Sequence, residues 1–270
     1  MKNDRDNGLE NNFEDILNDV IGKVPELELP ALSFDEVQMV YDHTKHIIGT
    51  MVEYKELMMM YTCAIKEVKT KFDVLNTEFN VRYRRNPIEF ISTRLKRTSS
   101  IAEKLGRKGL AVTPENIENY LSDVAGVRVI CAYIDDIYSI ADALIKQDDI
   151  TLIERKDYIA SPKPNGYRSL HLIVSVPVFF AQERRDMKVE VQIRTIAMDF
   201  WASLEHQLKY KQEVENEQEI MDRLKACAEV ISSTDREMLA IRSEIEQAAD
   251  IPSEDDILFE KIKNFDVPIY

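Results

Sequence analysis

Lys188-Val189-Glu190-Val191-Gln192-Ile193-Arg194-Thr195 alternates without a slip. In an extended chain successive side chains point to opposite faces, so Lys188, Glu190, Gln192 and Arg194 share one face of a strand while Val189, Val191 and Ile193 share the other. The apolar face predicts a sheet lying on a core. The polar face carries two cations, an acid and an amide, and this pattern leaves two readings open: a polyanion site, or a half-solvated antiparallel strand without chemistry.

Upstream, Lys163-Pro164-Asn165-Gly166-Tyr167-Arg168-Ser169-Leu170-His171 places a Pro-Asn-Gly turn signal before a strand over Leu170–Val178. Tyr167, beside a glycine at a loop-to-strand junction, can offer its ring to a base, with Lys163 near that base's phosphates; a turn aromatic packed on the sheet is the alternative. Earlier still, Asp123 precedes the tight Ala125-Gly126 pair and the run Val127–Tyr133, which reads as a buried strand with a carboxylate at its mouth. A helix over 135–147 and a strand over Thr151–Arg155 complete a βαβ-like rhythm. The fold class is α+β, one mixed sheet with long helices at both ends.

A chain of 270 residues, 44% hydrophobic, can bury one sizeable core. Its net charge of −14 argues against a protein that coats nucleic acid with its whole surface, so any anion site must be a local basic island. Cys63, Cys131 and Cys227 form no CxxC pair and read as reduced core thiols of a cytoplasmic protein. With no apolar run of membrane-spanning length and no apolar signal region, the expectation is a soluble protein without a membrane partner.

The island lies between Arg82 and Lys108, where nine basic residues face two acids, Glu89 and Glu103. Pro87 is expected to open a helix to about Arg97, and Ser99 or Ser100 to cap a second one carrying Ile101 and Leu105. Lys104, Arg107 and Lys108 would then share a helical face. A compact polyphosphate suits this island better than a nucleic-acid patch or solvated face, because base-stacking aromatics are sparse around it.

Residues 1–32 read as an acidic tail or arm. From Ser33 to about Arg82 the pattern is helical, with Val37, Val40, Tyr41, Thr44, Ile47 and Ile48 at helical spacing and Met58, Met59, Met60, Tyr61 and Ile65 continuing the apolar surface as core or subunit contacts. After Thr195 the chain turns helical again. Phe200, Trp201, Leu204 and Leu208 make one stripe, and a helix over 215–247 repeats apolar positions at Ile220, Leu224, Cys227, Val230, Ile231 and Leu239. Such helices leave apolar surface that favours a symmetric oligomer, and two readings stay open for Pro252–Tyr270: a further packed arm or a mobile end. The segments divide as 1–32, 33–84, 85–211 and 212–270.

Asp123 and Glu190 are the candidates for Mg²⁺, which takes one or two carboxylates and completes its shell with waters and phosphate oxygens. His171 and His206 lack the spacing of a zinc site. No Walker A, GxGxxG or nucleophilic Ser or Cys motif occurs.

Taken together, Arg94-Leu95-Lys96, Ser100, Lys104, Asp123-Val124-Ala125-Gly126-Val127-Arg128, the 163–171 segment and Val189–Thr195 resemble, in order and spacing, the synthetase domain of the RelA/SpoT family over about residues 85–211. The resemblance is nearest to the stand-alone small alarmone synthetases. It implies a nucleotidyltransferase-like sheet and transfer of pyrophosphate from ATP to the 3′-hydroxyl of GTP or GDP, giving (p)ppGpp and AMP. It further implies Mg²⁺ on Asp123 and Glu190, with Glu190 activating the acceptor hydroxyl. Arg94 and Arg128 would sandwich adenine, and Lys96, Ser100, Lys104 and Arg107 would bind ATP, the cations on its phosphates. Tyr167 would stack on guanine, with Asn165 and His171 lining the acceptor pocket and Lys163 near its phosphates. A homotetramer built by the terminal helices is also implied, with no stable nucleic-acid partner. Asp199 stands where some members carry Asn. The His-Asp doublet of the hydrolytic members is missing, the nearest text being Asp42-His43, so synthesis without hydrolysis is expected. A pyrophosphotransferase acting on tRNA or adenine nucleotides, and a non-catalytic helical scaffold or RNA-binding module, are the alternatives.

Overall fold

The computed structural model describes residues 34–83, 85–209 and 217–248. The acidic stretch 1–32, Ser33 and the arm 252–270 lie outside the described residues. Five strands, β1 (Ile88–Leu95), β2 (Ala125–Cys131), β3 (Thr151–Asp157), β4 (Leu170–Phe179) and β5 (Arg184–Thr195), form one sheet in the order β1-β2-β5-β4-β3. β2 and β5 run parallel, and every other neighbouring pair is antiparallel. The helices are α1 (Phe34–Tyr83), α2 (Thr98–Gly106), α3 (Pro114–Tyr120), α4 (Ile134–Ile145), α5 (Ile196–Lys209) and α6 (Glu217–Ala248).

The alternation in β5 holds. Val189, Val191 and Ile193 are fully buried while Lys188, Glu190 and Gln192 keep some exposure; Arg194 departs from the pattern at 5% exposed. The apolar face meets Tyr61, Val68 and Phe72 of α1, Ile101 and Leu105 of α2, and Ile137, Ile140 and Leu144 of α4. Burying each such side chain is worth about 1.5–3 kcal/mol, so one core fixes the sheet's orientation and turns its polar face outward.

The stretch after Pro87 is strand β1 and not the expected helix. Ile88, Phe90, Ile91 and Thr93 are β-branched or aromatic, and the segment pairs with β2 from Ile88↔Cys131 to Leu95↔Ala125. Edge pairing outweighed the helix-opening signal of Pro87, which fits equally well ahead of an edge strand. α2 then starts at Thr98, before Ser99 and Ser100, and its N-cap Arg97 makes no side-chain cap bond. It closes at Gly106 with Arg107 as its helical C-cap; Lys104 turns to Asp123, whereas Arg107 and Lys108 are exposed. The βαβ rhythm is real through α4, but β5 and β4 lie between β2 and β3.

Two compact units divide between Met51 and Val52. In the first, the Gln38 amide donates to the Asp42 carboxylate at 3.3 Å, and Tyr41, Ile47 and Ile48 are exposed; the side chains of Val37 and Val40 lie outside the description. In the second, Tyr61 and Ile65 are buried in the core, with Met58 and Met60 packed against it and Met59 exposed. Among the cysteines Cys131 is buried and Cys63 half-buried, but Cys227 is exposed, contrary to a core role.

α5 and α6 pack together around Trp201, whose indole N–H donates to the Leu224 carbonyl at 3.0 Å. Phe200 and Leu204 are exposed, so the stripe expected with Trp201 splits between two faces; the side chain of Leu208 lies outside the description. On α6, Leu224 and Ile231 pack inward while Cys227 and Val230 face solvent. No described helix is long and apolar enough to cross a membrane.

Candidate active site

Cross-strand register assembles the polar face. Arg94, Gly126 and Glu190 lie in line across β1, β2 and β5, and the next row runs Ser92, Arg128, Gln192, His171 and Lys156 across all five strands. Directly opposed residues share a face. These rows line a cleft of about 250 Å³ bounded by Ser92, Arg94, Gly126, Arg128, Glu190 and Gln192. Without a side chain at Gly126, the floor beside Glu190 stays open.

Near Glu190 of the cleft, and within its electrostatic reach, stands Asp123, two residues before β2. Its Oδ2 accepts from both Lys96 Nζ and Lys104 Nζ at 2.8 Å. Burial opposes ionisation, but the two lysines outweigh it and hold the carboxyl below its ordinary value. Its Oδ1 is buried with no hydrogen-bond partner. An unsatisfied buried polar atom costs about 1–3 kcal/mol, and a hard divalent cation is the partner a carboxylate oxygen would take. Glu190 Oε2 accepts from the Gln192 amide at 2.9 Å, and its Oε1 lies 3.5 Å from His171 Nδ1. Burial raises the pKa of Glu190, yet His171 and then Gln192 bring it below the usual value against the repulsion of Asp123. Two ionised carboxylates that feel each other's charge therefore sit beside an open floor, and the donor set fits Mg²⁺.

A second cluster is organised by Tyr167. Its hydroxyl meets His171 Nε2 at 2.8 Å and accepts from Arg194 at 2.6 Å. Arg194 also donates to Gln192 Oε1 at 3.1 Å, so Glu190, Gln192, Arg194, Tyr167 and His171 close a ring of polar contacts. Tyr158 stands edge-on to His171 with centroids 5.2 Å apart, and Lys163 Nζ lies 4.5 Å from the Tyr158 ring centroid and 4.8 Å from that of Tyr167.

The loop carrying these groups is clamped from both sides. Asn165 Oδ1 accepts from the Tyr167 N–H at 3.2 Å, and the Asn165 amide donates to Glu205 of α5 at 3.2 Å. Gly166 has φ of 91°, and a Cβ there would lie 2.5 Å from Ala228 Cβ of α6. Arg168 donates to the Ala228 carbonyl at 3.3 Å and to both oxygens of Glu229 at 3.0 Å.

The structure thus brings together Lys96, Lys104 and Asp123 in one cluster and Lys163, Tyr167, His171 and Glu190 in another, with Arg94 and Arg128 at the cleft. Ser100 is half-buried in the first turn of α2. Arg107 stands apart, its side chain 70% exposed and 3.9 Å from Glu103. Sequence reading puts Gln192 and Arg194 on the candidate polar face with Glu190 but assigns neither of them a role. It misses Tyr158, which no motif marks, and the contacts of Asp199 with Arg194 and Arg128 at 3.0 and 3.4 Å.

A sheet floor with paired carboxylates, clustered cations and a clamped aromatic ring defines a nucleotide-handling phosphoryl-transfer site. The region found in RelA/SpoT proteins matches residues 93–215. The chain is 41% identical over 204 residues to the GTP pyrophosphokinase YwaC of Bacillus subtilis, covering 76% of this chain and 97% of that protein. Its structure is similar to the crystal structure of small alarmone synthetase 2 from Bacillus subtilis, with a TM-score of 0.65 and 42% identity, over 71% of this chain and 99% of that one. It is equally similar, at a TM-score of 0.65 and 36% identity over 72% of this chain and 98% of the other, to small alarmone synthetase 1 of Bacillus subtilis bound to its product pppGpp. The chain belongs to the RelA/SpoT family, among its small alarmone synthetases.

Proposed function

We propose that the Asp123 end of the cleft binds ATP, that the Tyr167 end binds GTP or GDP, and that Asp123 and Glu190 hold Mg²⁺ between them. The chain is a GTP pyrophosphokinase: pyrophosphate passes from ATP to the 3′-hydroxyl of the guanine nucleotide, with AMP as the leaving product. Arg94 and Arg128 grip the adenine, while Lys96, Lys104, Ser100 and the more peripheral Arg107 serve its phosphates. Tyr167 stacks on guanine, with Asn165 and His171 beside it and Lys163 near the acceptor phosphates. Glu190, ionised and oriented by His171 and Gln192, accepts the proton of the attacking hydroxyl. Mg²⁺ supplies charge neutralisation on the phosphate oxygens, and the transfer needs positioning more than a covalent protein group.

The observation that carries this reading is Asp123, with one oxygen held by two lysines and the other buried and unpartnered beside Glu190. Lys96 and Lys104 would serve a polyphosphate from this position, and Asp123 and Glu190 would hold the cation. Synthesis proceeds without hydrolysis in a cytoplasmic homotetramer; the exposed apolar residues Phe200, Leu204, Val230 and Ile245 of α5 and α6 support association between copies. The test is nucleotide chromatography after incubation with ATP, GTP and MgCl₂. AMP and pppGpp should appear one for one, and neither ATP alone nor tRNA in place of GTP should give product. ADP instead of AMP, or a modified tRNA, would overturn the assignment.

A further inference from the structure

We propose that Asp199 is a positioning residue that yokes the two ends of the cleft, fixing Arg128 on the donor side and, through Arg194, Tyr167 on the acceptor side. This rests on the base assignments proposed above and goes beyond them, because Asp199 touches neither base in that scheme.

A buried guanidinium must spend its donors on fixed partners. Arg194 has a side chain 6% exposed. Its Nε lies 3.4 Å from Ser169 Oγ, one terminal nitrogen donates to Asp199 Oδ1 at 3.0 Å, and the other donates to Tyr167 and Gln192. The guanidinium carbon is also 5.0 Å from the Tyr167 ring centroid, so Arg194 fixes both the hydroxyl and the ring. The same oxygen of Asp199 lies 3.4 Å from a terminal nitrogen of Arg128. Two guanidinium groups that repel each other are thereby held by one shared carboxylate.

The carboxylate is itself firmly placed. Asp199 lies in the first turn of α5, where the helix dipole favours negative charge. That turn is anchored by Thr195, whose hydroxyl accepts from the Met198 N–H at 3.1 Å and donates to Asp235 of α6 at 2.5 Å. Removing the charge at 199 while keeping its shape should leave the fold standing but let both arginines drift apart, loosening the two base sites together.

The test is separate calorimetric titration of a non-hydrolysable ATP analogue and of GTP into the full chain and its variants, with folding checked by circular dichroism. Asp199→Asn should weaken each nucleotide about tenfold, the size of a charge-assisted contact replaced by a neutral one. Tyr167→Phe keeps the ring under the Arg194 guanidinium but removes the hydroxyl contact; it should weaken GTP alone, by a few-fold. In the Tyr167→Phe background, adding Asp199→Asn should cost GTP clearly less than its tenfold effect in the parent chain while its effect on the ATP analogue stays whole, since coupled residues are non-additive. Loss at one nucleotide only, or full multiplication of the two effects on GTP, would overturn the yoke. Tyr167→Ala and Arg128→Ala read the base assignments with Asp199 intact; no change in GTP or ATP-analogue affinity, respectively, would sink those assignments and the yoke with them.

Discussion

Around Asp123 the cleft is made of charges that hold one another: a carboxylate between two lysines, with a second acid across an open floor. Around Tyr167 it is made of rings and hydrogen bonds already satisfied, in a loop whose glycine, asparagine and arginine are locked to α5 and α6. In the proposed scheme the first region exchanges partners when a polyphosphate arrives, so its energetics would be those of charge and respond to salt. The second is preorganised, so less ordering cost remains to be met on binding. Variants of the first should therefore act through charge, and variants of the second through shape.

The largest effect is expected from the carboxylates. Asp123→Asn and Glu190→Gln should each lower turnover by about two to three orders of magnitude, because lost metal and base chemistry removes several kcal/mol from transition-state stabilisation. Single-turnover kinetics on variants with a native circular dichroism spectrum will decide; retained turnover in either removes the metal assignment. Lys96→Ala and Lys104→Ala follow, each raising the Michaelis constant for ATP and cutting turnover by about tenfold or more, from contacts worth roughly 1.5–3 kcal/mol. Arg107→Ala and Lys108→Ala should be milder, since both side chains are exposed while Lys104 is held by Asp123. Equal, small losses for all four would return the island to ordinary surface charge.

Smaller effects belong to the clamp at the other end. Gly166→Ala combines a left-handed backbone with a Cβ 2.5 Å from Ala228, so it should cost about 1–3 kcal/mol of stability and lower the thermal midpoint by several degrees. An unchanged melting temperature would mean that α6 yields freely there. The smallest effect has the opposite sign. Burial, only partly offset by the Thr195 hydrogen bond, raises the pKa of Asp235 above its ordinary value. Its ionised form therefore costs stability at neutral pH, and that cost is relieved as pH falls through the raised pKa and below the ordinary carboxylate range. Asp235→Asn should be neutral to slightly stabilising at pH 7, with any gain fading in acid; a melting series against pH checks the sign.

The sequence made one end of the cleft more legible than the other for a physical reason. Period-two alternation around Glu190 and the turn chemistry of Pro164-Asn165-Gly166 are local signals, and both elements stand where they were expected. Asp123 at a strand mouth is similarly local. β1 was misread because Pro87 is compatible with a helix start and with an edge strand, and only the partner β2 chooses between them. The C-terminal end of α2 falls at Gly106 for a local reason, since Gly109, with φ of 71°, turns the chain away just beyond the C-cap Arg107. The arginine links were illegible because they join residues through space. The alternation places Arg194 on the polar face, but only α5, with Asp199, buries it, and the fit of Gly166 against Ala228 spans 62 residues of chain.

The separation of donor and acceptor ends is tested most directly by a crossed binding measurement. Calorimetry with a non-hydrolysable ATP analogue and with GTP, each alone, on Lys104→Ala and Tyr167→Ala gives four affinity changes. Lys104→Ala should weaken the ATP analogue and spare GTP, while Tyr167→Ala should weaken GTP by about 1–3 kcal/mol, the size of a lost stacking contact, and spare the ATP analogue. Parallel losses for both nucleotides in both variants, or the reverse pairing, would contradict it.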